Sequence, residues 1–146
     1  RYDSSYNSFG MHGRYGACGE CLQSSPHLAL IKLTSGLLEL PISNLPVYDF
    51  VIPWGGGGYF RMVPPRIFRM GVAHILKKSG AYIFYLHPWE LDPDQTRVHQ
   101  APWGQRFRHY INLNKTVGKT KNLIQSFGGC SFMTCSEFIE SKGHLA

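Results

Sequence analysis

The chain has no run of apolar residues approaching the ~20 that a helix needs to cross a membrane, so no membrane segment is expected. It starts Arg1-Tyr2-Asp3-Ser4-Ser5, without an initiator methionine and without the apolar core of a signal peptide. A processed or truncated start and a cytoplasmic location are therefore expected. Among its seven histidines, His12, His27, His74, His87, His99, His109 and His144, no two have the HxxxH spacing of a helical metal pair. No Asp-Asp pair ends an apolar strand, and no Gly-x-Ser-x-Gly elbow offers a nucleophile. These absences remove every complete hydrolytic centre that short motifs reveal. Internal repeats and low-complexity tracts are absent too.

Acids are scarce, at 9 Asp and Glu against 15 Lys and Arg, for a formal charge of +6. Such an excess suits either a polyanionic partner or a solvated basic surface. Only Lys77-Lys78, Arg106–Arg108 and Lys115–Lys121 cluster. No nucleic-acid motif frames them, so no nucleic-acid partner is expected. Cysteines number 4, in the pairs Cys18/Cys21 and Cys130/Cys135. The CxxC spacing of the first could hold half a zinc site, but the second is wider than a usual knuckle, and incidental thiols in a reducing compartment are the favoured reading.

What is present reads as one α/β domain: 146 residues, 43% hydrophobic, enough for a single core and too few for two. Apolar runs at Leu28–Leu33 and Leu37–Ile42 flank the turn signal Thr34-Ser35-Gly36 and predict a strand pair. Asn44–Pro53 reads as an irregular connection. Pro64-Pro65 opens a helix whose stripe Phe68, Val72, Ile75, Leu76 falls at i, i+4, i+7, i+8, with Gly80 beyond its end. Ala81–Leu86 predicts a strand buried on both faces in a mostly parallel sheet. Residues 88–110 read as a long polar loop. Asn114 predicts the cap of a helix over Lys115–Phe127, Ser131–Met133 a short strand, and Thr134-Cys135-Ser136-Glu137 a capping box opening the last helix.

The chemistry concentrates after Ala81–Leu86, where His87, Trp89, Glu90, Asp92 and Asp94 follow in quick succession between Pro88 and Pro93. A strand-end histidine suits general acid or base work, or is satisfied by a backbone carbonyl. Trp89 offers a flat face to a sugar ring. Glu90 and Asp92 would orient the imidazole, bind sugar hydroxyls, or pair with arginines. The Gly55–Gly58 run lacks the Lys-Ser/Thr of a phosphate loop and reads as a mobile or closely approached segment, with Tyr59 and Arg61 facing a ligand or packing. Arg106-Phe107-Arg108-His109-Tyr110 suits an anionic group or a stacked ring, or anchors its own loop.

Taken in order, Tyr2-Asp3-Ser4-Ser5, His12-Gly13-Arg14-Tyr15-Gly16, Leu38-Glu39-Leu40-Pro41, Gly56–Arg61, Phe84–Glu90, Asp92-Pro93-Asp94-Gln95 and Phe107-Arg108-His109-Tyr110 resemble the C-terminal half of polysaccharide deacetylases. More narrowly they are similar to the subfamily encoded at bacterial exopolysaccharide loci, whose C-terminal part carries the domain of unknown function 3473. The resemblance spans about residues 1–127. It implies the C-terminal, incomplete part of a deformed NodB-type (β/α) barrel that removes N- or O-acetyl groups from a polysaccharide. In that family a divalent metal, expected to be zinc, activates water, an aspartate is the base, and a late-strand histidine protonates the leaving group.

On that resemblance His87 matches the acid histidine and Asp3 corresponds to the aspartate that orients it. Trp89, Glu90, Tyr59, Arg61, Asp92 and Arg108 form the expected substrate-binding set. Tyr85 departs from the leucine common two residues before the histidine. The family's metal motifs lie before the position of Arg1, so no metal ligands are expected here. The chain alone is then expected to be inactive, with the N-terminal half of the barrel as its missing partner. The competing expectations are a non-catalytic carbohydrate-binding or partner-binding module, and a small zinc module built on the cysteines.

Overall fold

A computed structural model describes residues 1–9, 29–48 and 50–143. Three short strands, β1 (Tyr2–Asp3), β2 (Ile31–Lys32) and β3 (Leu38–Glu39), form a sheet in the order β1-β3-β2. β1 runs parallel to β3, and β2 antiparallel to it. The predicted turn closes the β2–β3 pair: Leu33 and Leu37 bond across it, and Gly36 sits at φ 79°, a backbone conformation open to glycine. Glu39, buried in β3, accepts the Tyr6 N–H at 3.0 Å and so ties down the stretch that follows β1. Burial pushes its carboxyl pKa up.

The connection expected at Asn44–Pro53 is instead a hairpin, β4 (Asn44–Val47) with β5 (Phe50–Pro53), in register Asn44↔Pro53 through Val47↔Phe50. Proline spoke against a strand in the sequence. In a two-stranded sheet both strands are edges, so the missing N–H of Pro46 interrupts no inner ladder. Leu45 and Ile52, opposite one another, face the core.

Five α-helices follow among the described residues: α1 (Gly57–Met62), α2 (Pro65–Ser79), α3 (Trp103–Tyr110), α4 (Leu113–Ser126) and α5 (Cys135–Ser141). In α2, Phe68, Val72 and Ile75 are buried along the predicted stripe, and Gly80 takes the left-handed conformation at its end. The capping box also forms: Thr134 Oγ1 accepts the Glu137 N–H, and Glu137 Oε2 accepts the Thr134 N–H at 2.7 Å. The helix predicted over Lys115–Phe127 starts earlier, after Asn112 rather than Asn114. Residues 88–110 hold a 3-10 turn, Pro88–Leu91, and α3, where a loop was expected. Ser131–Met133 forms no strand.

The core is largely aromatic. Phe68 stacks on Trp54 at 5.1 Å and meets Phe60 edge-on at 5.0 Å, while Phe84 closes onto Phe60 at 5.1 Å. Gly71 lets α2 lie against the Trp54 indole, whose Nε1–H donates to the Phe68 carbonyl at 3.0 Å. Glycine to alanine inside a helix normally adds up to ~1 kcal/mol of stability. G71A is expected to lower stability by about 1–3 kcal/mol instead, because its methyl overlaps the indole. Urea unfolding reads the sign.

Ala81–Leu86 corrects the expected buried parallel strand. Its residues are half-buried, and its one bridge among the described residues is Tyr85 with Gly56, with the Tyr85 N–H donating to the Gly55 carbonyl at 2.9 Å. The Ile83 N–H goes to a side chain, Ser43 Oγ, at 2.8 Å. Tyr82, Phe84 and Leu86 are apolar because they pack on the aromatic core. The architecture is mixed α/β, and the described strands make two small sheets, without a closed barrel. The His12–Gly16 segment, Cys18 and Cys21 lie outside the described residues.

Candidate functional site

His87 is the last residue before the 3-10 turn, and Pro88 starts that turn with its fixed φ. The His87 backbone N–H donates to Glu90 Oε2 at 2.9 Å, and the Glu90 N–H returns to the His87 carbonyl at 2.9 Å. This reciprocal closure holds the histidine at the rim while its side chain stays exposed. The other carboxylate oxygen, Glu90 Oε1, meets Arg61 Nη2 at 3.1 Å, and both residues are only 2% exposed.

Arg61 does more than neutralise Glu90. Its Nη1 donates to the His109 carbonyl at 2.5 Å and its Nη2 to the Arg108 carbonyl at 3.3 Å, taking two of the acceptors that the end of α3 leaves open. Nε donates to the Gly57 carbonyl at 3.3 Å. Asn112, left-handed at φ 53°, donates its side-chain amide to the Arg61 carbonyl at 2.9 Å and starts α4. Burial lowers the pKa of Arg61, with Glu90 opposing the shift. On α4, the Lys119 ammonium caps α1 by donating to the carbonyls of Phe60 at 2.5 Å and Val63 at 2.9 Å.

Gly57 explains part of the glycine run. A Cβ there would fall on the Glu90 carboxylate, so the first residue of α1 has to lack one. A Cβ on Gly56 would meet the Tyr85 ring, 2.9 Å from its hydroxyl, a looser approach than that of Gly57 to Glu90. The segment is closely approached, and it opens a helix.

Above this buried pair stands a stack of rings. His87 lies parallel to Trp89 at 5.9 Å, and Trp89 lies on His109 at 4.0 Å and 13°. Tyr85 meets His87 edge-on at 5.6 Å. The Arg61 guanidinium carbon is 5.1 Å from the Trp89 ring centroid. The face that Trp89 was expected to offer a sugar is thus partly taken by His109. Gln95 fixes that imidazole. Its amide donates to the carbonyls of Trp89 at 2.7 Å and Asp92 at 2.8 Å, leaving its oxygen to accept from His109 Nε2 at 2.9 Å.

The expected site residues therefore separate into layers. His87 and Trp89 come together at the rim, while Glu90 and Arg61 sit behind them, buried against each other. Asp92 and Arg108 are exposed on the flanks, Asp92 accepting the Asp94 N–H at 3.0 Å. Tyr59, half-buried, lies on α1. Asp3 is exposed in β1, its carboxylate taken by the Ser4 N–H at 2.8 Å and the Ser5 hydroxyl at 2.7 Å. No hydrogen bond or ion pair joins it to His87 among the described residues. The sequence offered His109 only within a run suited to a stacked ring and Gln95 only within a motif of the resemblance. It assigned Asn112 and Lys119 no role, because the contacts that define all four cross from one element to another.

His109 carries a pH dependence. Burial, then the positive charge of Arg61, lowers its pKa, with Glu90 opposing. A histidine lowered on folding stabilises the fold fully above its unfolded value of about 6.5, and that contribution fades as pH falls through the lowered folded value. We expect stability to drop on acidification below about pH 6.5, and H109Q to flatten that drop. Unfolding midpoints measured across the range test this, and an unchanged slope in H109Q contradicts it.

No three His, Cys, Asp or Glu side chains stand together as a metal site among the described residues. Cys130 and Cys135 are free thiols. No helix among the described residues is long and apolar enough to cross a membrane. A family model described as Domain of unknown function (DUF3473) matches residues 4–140. No curated protein and no solved structure matches the chain.

Proposed function

Since the chain belongs to the DUF3473 family, we propose that it supplies the acid-and-platform side of a polysaccharide-deacetylating site, as the C-terminal part of a NodB-type barrel. The observation carrying this reading is the exposed His87 imidazole, held by its own backbone on a buried Glu90–Arg61 pair and ranged beside Trp89. Such a group can hand a proton to a leaving amine or hydroxyl while the aromatic wall beside it excludes water. Asp92 and Arg108 are both exposed, and in this reading they bind hydroxyls of the sugar.

The described side chains do not fit a divalent metal, because their donors are not grouped. No step is assigned to a metal here. The donors of a deacetylase would come from outside the described residues, and this chain alone is expected to release no acetate. His87 protonates, Trp89 positions, and the buried pair holds both in place.

Binding is the direct test. Titrating the chain with chitotetraose, a neutral acetylated oligosaccharide, is expected to move the NMR signals of the Trp89 indole and the His87 imidazole. W89A, which also removes the ring on which His109 rests, should weaken binding about tenfold or more, in line with the ~1–3 kcal/mol of an aromatic stacking contact. Signals that stay still at millimolar sugar contradict the reading.

A further inference from the structure

On α3, Trp103, Arg106, Phe107 and Tyr110 fall at i, i+3, i+4 and i+7 and share one face, away from the position of His109. Such a face normally faces a core. Here Trp103 is 76% exposed and Phe107 49% exposed. Their rings lie nearly parallel, 5.5 Å apart at 17°. With Arg97 and Ile111 this face lines an open groove of ≈ 300 Å³, at the small end of the ~300–1,000 Å³ of ligand sites.

The groove has a charge of one sign. Arg97 lies over the Tyr110 ring at 5.0 Å, and the Tyr110 hydroxyl accepts the Val98 N–H at 2.8 Å, which fixes the groove's far wall. Neither Arg97 nor Arg106 has a carboxylate partner among the described residues. The lining thus joins flat aromatic surface, suited to the apolar face of a sugar ring, to guanidinium forks suited to a planar anion. Tracking a phosphate backbone takes a run of cations. This groove has two, one of them already stacked on Tyr110.

We propose that the groove binds a carboxylate-bearing sugar unit of an acidic polysaccharide, with Arg106 taking the carboxylate and Trp103 and Phe107 the ring. The inference rests on the carbohydrate reading of the His87 face, and it names the polymer as acidic. One helix serves both places, with His109 on the Trp89 stack and Trp103 on the groove.

The test is NMR titration of the chain with a galacturonic acid tetramer, with chitotetraose and with an oligothymidylate, following the indole N–H signals of Trp89 and Trp103 separately. The uronate tetramer is expected to move Trp103, and R106Q to weaken its binding about tenfold, the worth of one charge-assisted hydrogen bond. W103A should weaken uronate binding about tenfold by calorimetry, and circular dichroism should stay unchanged in both variants, since neither side chain is buried. An unmoved Trp103, an R106Q variant binding as tightly as the parent, or tighter binding of the oligothymidylate each overturns the proposal. If chitotetraose still moves Trp89 while the uronate leaves Trp103 still, the groove assignment alone fails. If no sugar moves either indole, the carbohydrate reading fails with it.

Discussion

Replacing Glu90 with alanine is expected to lower stability by about 3–5 kcal/mol, the usual cost of stripping one partner from a buried ion pair. The guanidinium left behind is 2% exposed and cannot reach water. Two further losses add to this. The His87 N–H loses its acceptor, and the space beside Gly57 is left unfilled. E90Q keeps the shape and an acceptor and should fall between alanine and the parent. The double change R61M/E90L should recover part of the loss by removing both charges, though the carbonyls of Arg108 and His109 then go unserved. Urea unfolding of the four proteins decides it. A deficit under about 1 kcal/mol for E90A would mean that the pair behaves as a surface contact.

The second large effect belongs to His87. In a chain that carries metal donors together with residues 1–146, H87A is expected to lower kcat for acetate release about 10²–10⁴-fold, the contribution of a positioned general acid. Its imidazole is exposed and its backbone bonds survive the substitution, so the fold and the sugar affinity should hold. A loss confined to KM would instead make His87 a binding residue. E90A in the same chain should lower activity and stability together, which separates the proton donor from its support.

Sequence pattern carried the local structure well. The Phe68-Val72-Ile75 stripe and the Thr134–Glu137 capping box depend on neighbours within a few residues, and both formed as read. The β4–β5 hairpin and α3 did not, because Pro46, Pro53, Pro102 and Gly104 argue for loops when taken alone. What makes them regular is tertiary: Leu45 and Ile52 against the core, and Arg61 gathering the end of α3. The site divides the same way. The cluster His87-Trp89-Glu90 was visible as a cluster, yet the roles within it were not. A glutamate two residues before Asp92 and four before Asp94 looks like a ligand for sugar hydroxyls. Only its pairing with Arg61 shows that it lies behind the working surface.

Arg61 finally bears on how the molecule reaches its native state. The carbonyls it gathers lie 47 to 50 residues further along the chain. Closing a loop of that length costs entropy before any of those bonds returns free energy. We expect these contacts to form after the barrier to folding, an expectation that R61M tests by speeding unfolding while leaving the refolding rate unchanged. Interactions made that late leave the folding rate nearly alone and slow unfolding instead. On that expectation the arginine is a latch on the finished molecule, and its loss shortens the time the rim with His87 stays assembled between openings.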